Sequence, residues 1–249
     1  MSRSGRVPRP AGSSEAASTG AATVALREEA RHRGGRDLRA RREEILDAAT
    51  ELFAEHGFSD AVTQALVDRL GVGKGTLYRH FRCKRDLFLA SVDRVMHRLR
   101  EHIDGELAGV DDDLERLAIA VAAFLRFFEL HPKFAELVIQ ERALFKDREK
   151  LTVAEHREVT RARWREVFRS LIAAGRLRDI PAERITDVAG NLLYGTMFTN
   201  YSVGHSRPAD EQARDIVDVL FLGLLSDSER RKRAASPGGL LGRPGRKPR

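Results

Sequence analysis

The stretch from Gly71 to Phe81 constrains the fold more than any other part of this 249-residue chain. A short segment with apolar residues at helical spacing precedes it, and Gly71 can adopt the positive φ that ends a helix and turns the chain. Leu77 and Phe81 then follow at the i, i+4 spacing of a second short helix, so its polar residues lie on the opposite face. Two short helices joined by a tight turn indicate a helix-turn-helix, whose second helix enters the DNA major groove.

The residues around this stretch resemble a known family, the TetR (tetracycline repressor) family of bacterial transcriptional regulators. The resemblance covers about residues 39–100 and is carried by Gly57-Phe58 and by Gly71-Val72-x-Lys74-Gly75-Thr76-Leu77-Tyr78-x-His80-Phe81-x-x-Lys84-x-x-Leu87. It implies an all-α fold with an N-terminal three-helix DNA-binding head and a C-terminal helical body that binds a ligand and dimerises.

Three positions depart from the family pattern. Ala61-Val62 replace the pair of hydroxyl residues that usually opens the second helix, Gly73 replaces a Ser or Thr, and Cys83 replaces a small polar residue. These differences bear on the operator sequence and leave the predicted fold unchanged.

The resemblance also implies which residues of the head contact DNA. The candidates are Arg42, Thr63, Gln64, Lys74, Thr76, Tyr78, Arg79, His80 and Lys84. Thr76, Tyr78, His80 and Lys84 match positions that mainly hold phosphate, and glycine at 73 and 75 offers no hydrogen-bonding side chain. Base readout is therefore expected to depend on Lys74, Arg79 and Gln64. The alternatives are that Gln64 is only solvated and that His80 packs against its neighbours.

Apolar periodicity and helix-breaking residues divide the chain into segments. The predicted parts are a disordered basic arm (1–36), the DNA-binding domain (37–100, with the helix-turn-helix at about 62–81), a helical regulatory and dimerisation domain (101–227) and a disordered basic tail (228–249). Within them, helices are predicted over 37–56, 62–70, from 74, from 84 to about 105, and over 114–130, 133–145, 147–174, 182–204 and 208–225.

The last two helices, 182–204 and 208–225, carry more apolar positions than one buried face requires. In the family such helices form a four-helix bundle across a two-fold axis, which implies a homodimer through this pair. The alternative is that they only close the core of one chain.

Aromatic residues of the predicted body are candidates for lining an effector pocket. They are Phe124, Phe128, Phe145, Trp164, Phe168, Tyr194 and Phe198. The resemblance implies a pocket among the body helices for a small hydrophobic effector of unknown identity, but aromatic residues at helical spacing are equally typical of a core.

Composition excludes several classes. The formal net charge of +7 comes from basic ends around an acidic middle, so it is weak evidence for nucleic-acid binding. Cys83 is the sole cysteine, so the chain has no internal disulfide and suits a reducing cytoplasm. Neither a signal peptide nor a membrane span is apparent, and no catalytic motif or i, i+4 histidine pair occurs.

These observations predict a cytoplasmic regulator that binds double-stranded DNA, with no enzymatic activity, cofactor or metal. The leading hypothesis is a dimeric repressor released from a palindromic operator by its effector. The alternative is a constitutive or architectural DNA-binding protein without an inducer, and an enzyme would need a catalytic constellation that the sequence lacks.

Overall fold

A computed structural model describes the backbone of residues 15–61, 63–145, 150–204 and 207–234, and side chains from residue 38 onward except Arg142 and residues 233–234. Helices make up nearly all of this part of the chain, as the all-α prediction requires. They are α1 (Glu15–Asp60), α2 (Thr63–Leu70), α3 (Lys74–His80), α4 (Lys84–Glu106), α5 (Asp113–Leu130), α6 (Pro132–Leu144), α7 (Thr152–Ala173), α8 (Ala182–Val203), α9 (Ala209–Leu224) and α10 (Asp227–Ala234).

Two helices extend into segments predicted to be disordered. Helix α1 begins at Glu15 rather than Asp37, and the prediction was therefore wrong for residues 15–36. The reason is local composition, because the segment is rich in Ala, Glu and Arg, which favour helix. The disorder predicted for residues 1–14 concerns residues outside the described part and stays a prediction.

Helix α10 likewise extends into the basic tail, which was predicted to be disordered from residue 228. The Ser226 hydroxyl accepts the Glu229 backbone N–H at 3.3 Å and so caps the helix. The Glu229 side chain is only 5% exposed and pairs with Arg176 at 3.4 Å. These tertiary contacts order residues 228–234, which composition alone classed with the basic tail; residues 235–249 lie outside the described part.

Contacts divide the chain into two compact units, residues 1–45 and residues 46–249. In the second unit, α5 is the central helix: Leu114 and most residues from Leu117 to Phe128 are buried. It packs most extensively against α9 and also contacts α4, α6 and α8, while α7 packs against α4 and α8. The prediction that this helix, which has no charged residue from Leu117 to Leu125, lies at the centre of the body is confirmed.

Helix α4 joins the helix-turn-helix to these body helices. Its guanidinium groups hold it to the later part of α1, because Arg94 and Arg98 both donate to Asp47, at 2.9 and 2.8 Å, and Arg98 also donates to Glu51 at 3.1 Å. A displacement of α4 would therefore carry this part of α1 with it.

Four phenylalanine rings form an aromatic cluster, which we define as Phe53, Phe58, Phe88 and Phe145. Phe145, which follows α6, lies 5.2 Å from the Phe58 ring and 5.6 Å from the Phe88 ring. Phe145, which the sequence placed among the pocket candidates, therefore packs in this cluster. Its ring is taken up by the packing of α6 against α1 and α4, which sequence spacing does not reveal.

Helix α6 also contacts the end of α1 through a hydrogen bond. Gln140 accepts the Phe58 backbone N–H through Oε1 at 2.9 Å and donates to Glu136 through Nε2. The neighbouring Gly57 has φ 67°, and a Cβ atom there would stand 2.7 Å from Gln140 Nε2. Gly57 is thus required by both its backbone conformation and the position of Gln140.

Replacing Gly57 by alanine is expected to lower the free energy of unfolding by about 1–2 kcal/mol, the penalty of a left-handed non-glycine residue. Urea unfolding followed by circular dichroism measures the change. Gly75→Ala is the matched control, because Gly75 lies inside α3 with nothing within 4 Å of its Cβ position. Equal stability of the Gly57 and Gly75 variants would contradict the expected strain.

Candidate nucleic-acid interface and internal cavity

The turn between α2 and α3 has the geometry of a glycine-capped helix end. Gly71 has φ 60°, its N–H contacts the Asp68 carbonyl at 3.3 Å, and the Val72 N–H contacts the Val67 carbonyl at 3.0 Å. This pair of bonds is the Schellman motif, which only a residue tolerant of positive φ can close without strain. The turn sets the direction in which α3 leaves α2.

Helix α3 has one buried and one exposed side. Leu77 is 1% exposed, and Phe81, just after the helix, is 4% exposed, so both anchor α3 in the core. Lys74 and Arg79 are exposed, and Tyr78 is 42% exposed. The structure therefore presents two cations and a phenol on the free side of a short helix.

The predicted contact residues differ in how they are held. Thr63 Oγ1 lies 3.5 Å from the Tyr78 hydroxyl, so these two candidates from α2 and α3 stand side by side. The Gln64 amide donates to Asp68 of its own helix at 2.7 Å and would have to exchange that partner to reach a base. Thr76 and His80 are half-buried.

Lys84 and Arg42 are also engaged within the chain. The Lys84 ammonium donates to the Ser59 carbonyl at 3.2 Å and lies 4.9 Å from the centre of the Phe58 ring, so it fastens the start of α4 to the end of α1. Within the first unit, the exposed Arg42 donates to Glu43 at 3.2 Å. An exposed residue that sequence reasoning missed is Arg82, two residues after the end of α3, whose positive charge was its available signal.

A cavity of about 240 Å³ lies among α4, α5, α7 and α8. Four of the predicted pocket residues line it, namely Phe124, Trp164, Phe168 and Tyr194. The volume is slightly below the range of about 300–1,000 Å³ common for ligand pockets, so a compact ligand fits best.

Two further aromatic residues predicted for the pocket lie elsewhere. Phe128 packs against Phe124 and Phe127, with ring centres 5.2 Å away in both cases, in the core behind the cavity. Phe198 is 51% exposed on α8. Phe128 and Phe198 follow the same helical spacing as the residues that line the cavity. Only the packing of neighbouring helices determines which side chains face the cavity, which lie in the core and which are exposed.

Polar groups that the sequence did not indicate also line the cavity. The Arg157 guanidinium lies 4.3 Å from the centre of the Tyr194 ring and donates to Asn191 at 3.0 Å. Burial lowers the pKa of Arg157 and raises the pKa of Tyr194 to about 12, so the phenol is neutral near pH 7. The cavity thus combines an apolar wall with a half-buried cation.

Helices α8 and α9 leave apolar side chains uncovered. Those with the largest exposed fractions are Val188, Phe198, Val203, Val219 and Leu222, between 51% and 79%. A Cβ atom at Gly195 would have nothing within 4 Å, which leaves room on α8 for another chain.

Each helix in the described part of the chain is too short or too polar to traverse a lipid bilayer.

Comparisons with known proteins find two segments of the chain that match models of one protein family. Residues 45–91 match "Bacterial regulatory proteins, tetR family", and residues 110–224 match "Tetracyclin repressor-like, C-terminal domain". The first match contains the helix-turn-helix, and the second contains most of the cavity lining.

Two curated relatives match over limited stretches. The HTH-type transcriptional activator FasR of Mycolicibacterium smegmatis is 38% identical over 89 residues, 36% of this chain and 41% of the relative. The HTH-type transcriptional repressor AcnR of Corynebacterium diphtheriae is 38% identical over 65 residues, 26% of this chain and 34% of the relative. The chain therefore spans less than half the length of each relative.

The fold is also found among solved structures. The fatty acid degradation regulator FadR from Bacillus halodurans aligns with a TM-score of 0.60 and 19% identity, over 73% of this chain and 98% of that protein. At this identity the similarity establishes the shared fold.

Proposed function

Since the chain belongs to the tetR family of bacterial regulatory proteins, which are transcriptional regulators rather than enzymes, we propose that it is a dimeric repressor that a small hydrophobic effector releases from a palindromic operator. The observation that carries the proposal is the two-sided α3, anchored by Leu77 and exposing Lys74 and Arg79. Such a helix can enter a major groove without disturbing the head's core.

We assign base readout to Lys74 and Arg79, and phosphate contacts to the remaining candidates. Lysine and arginine pair with guanine O6 and N7, and hydroxyl groups such as those of Thr63 and Tyr78 bind phosphate oxygens. Gln64 can join the readout only by giving up Asp68, so its contribution should be smaller than that of Arg79.

The second copy in the proposed dimer docks on the uncovered apolar face of α8 and α9. Each of these helices already packs one side against its own chain, α8 on α7 and α9 on α5. A two-fold axis through the free sides would bury apolar residues such as Val219 and Leu222 in a four-helix bundle and would pair two heads on a palindrome.

The cavity supplies the effector site in this proposal. Met96, Leu99 and Ile103 of α4 line it, and the same helix holds α1 through Asp47. A ligand that favours one position of α4 would change the separation of the two heads and so the fit to the half-sites.

Selection of bound sequences from random DNA with the purified protein tests the proposal. We expect a palindromic consensus sequence. We also expect the protein to lose its binding to that DNA when a screened hydrophobic compound is added. Binding without a consensus and with equal salt dependence on all sequences would support the architectural alternative. Because one curated relative is an activator and the other a repressor, transcription from a promoter carrying the consensus decides the sign.

Replacing Arg79 by alanine is expected to reduce discrimination at one base pair of each half-site by about 1–3 kcal/mol, the value of a bidentate contact to guanine. Competition binding with single-base variants of the consensus measures it. Arg178→Ala, an exposed arginine of the body, is the control and should change neither affinity nor preference. If Arg79→Ala weakens binding equally on every sequence, Arg79 contacts phosphate instead.

A further inference from the structure

Two imidazole rings and one carboxylate converge beside the cavity. Asp93 and His97 stand one turn apart on α4, and His156 comes from α7. His156 Nε2 lies 2.7 Å from Asp93 Oδ1, and His97 Nε2 lies 3.6 Å from Asp93 Oδ2. The two histidines thus direct the same ring nitrogen toward the two oxygens of a single carboxylate.

The spacing of these donors is close to that of a metal site. One ligand atom from each residue lies within 4.8 Å of the others. Two ligand atoms on a tetrahedral Zn²⁺, each bound at about 2.0–2.1 Å, are about 3.3–3.4 Å apart, so the widest separation in the group needs to close by about 1.4 Å. Asp93 and His97 are each 50% exposed as side chains, so they are free to make this adjustment and open to solvent.

The third residue, His156, is fixed in place. Its side chain is only 10% exposed, and Arg100 Nη2 lies 2.9 Å from its Nδ1. A guanidinium can only donate, so Nδ1 accepts and the ring proton is on Nε2, directed at Asp93. Its Nε2 therefore already points to where an ion would be shared with Asp93 and His97.

We propose that Asp93, His97 and His156 bind a first-row divalent transition metal, with Zn²⁺ as the best match to two imidazoles and one carboxylate. This ligand set leaves coordination positions for water or another ligand. The bound ion would connect α4 to α7, which contact each other at this place through the His156 hydrogen bonds and the edge-on packing of the His97 and His156 rings.

Metal binding has a defined consequence for Arg100. When the ion takes the Nε2 lone pair, the ring proton moves to Nδ1, which can no longer accept from Arg100. The guanidinium must then leave His156, and because Arg100 also lines the cavity, the ion changes the polar lining of that cavity. Arg100 and the metal therefore compete for His156.

Titration of the metal-free, tag-free protein with Zn²⁺ alone tests the proposal, by calorimetry and by competition against the visible absorption of bound Co²⁺. One ion per chain is expected. His97→Ala and Asp93→Asn should each weaken binding at least tenfold, because each removes one of three ligands. Both residues are half exposed, so folding is preserved, and circular dichroism verifies this.

Two further variants separate a site from adventitious binding. His56→Ala removes an exposed histidine on α1 and should leave the affinity unchanged. Arg100→Met removes the competing donor and a nearby positive charge, so it should tighten Zn²⁺ binding severalfold. Absence of saturable binding, or equal affinity of the parent, His97→Ala and Asp93→Asn proteins, would overturn the site. Unchanged or weaker binding by Arg100→Met would overturn the assigned competition. None of these readouts uses DNA, so the result is independent of the proposed repressor function.

Discussion

Replacing Phe88 by alanine is expected to lower the free energy of unfolding by about 3–5 kcal/mol, the range for truncation of a fully buried aromatic side chain. Phe88 is 0% exposed, and its ring lies 5.2 Å from that of Phe53 and 5.3 Å from that of Phe58. The alanine variant would lose the favourable free energy of burying the phenylalanine ring. It would also leave a void that the remaining rings of the aromatic cluster cannot fill. Since domains are stable by only about 5–15 kcal/mol, this single change removes a large share.

Urea unfolding followed by circular dichroism measures the effect, at one fixed protein concentration because the proposed dimerisation would add to stability. Leu130→Ala serves as the control, since Leu130 is 67% exposed at the end of α5 and should change stability by less than about 0.5 kcal/mol. A Phe88→Ala protein within 1 kcal/mol of the parent would be incompatible with a packed aromatic cluster. The cluster also joins α1, α4 and the end of α6, so its loss should reduce the effect of the proposed effector on DNA affinity.

The second large effect is expected at Glu141. Its carboxylate is 0% exposed and accepts the backbone N–H groups of Thr152 at 2.7 Å and Val153 at 3.3 Å. These groups belong to the first turn of α7, where a helix has unpaired donors and a positive dipole end. Glu141→Ala would leave buried donors without this acceptor, so a loss of about 2–4 kcal/mol is expected.

Thermal and urea unfolding of Glu141→Ala are compared with those of Glu155→Ala. Glu155 lies in the same first turn but is exposed, so its removal tests the dipole effect alone, about 0.3–1 kcal/mol. Glu141→Gln retains one acceptor oxygen and should fall between the two. Equal losses for the alanine variants at 141 and 155 would show that the buried hydrogen bonds contribute nothing beyond the dipole.

The helix-turn-helix was predictable because its information is local. Gly71 is needed for a positive φ, and Leu77 and Phe81 recur at helical spacing, so three residues specify the turn and the buried face of α3. The all-α class follows from periodicity, and the central position of α5 follows from the absence of charge from Leu117 to Leu125. The contacts assigned to Lys74 and Arg79 stay predictions, although both side chains are exposed as readout requires.

Only the tertiary structure decided which side chains share an environment. Periodicity places Phe124, Phe128 and Phe198 on apolar faces alike, but the neighbouring helices make one a cavity wall, one a core residue and one an exposed residue. The convergence of Asp93 and His97 with His156, which lies on another helix far along the chain, has no sequence signal. The physical reason is that helical spacing determines the direction of a side chain relative to its own helix, whereas a cavity or a ligand set depends on how separate helices pack.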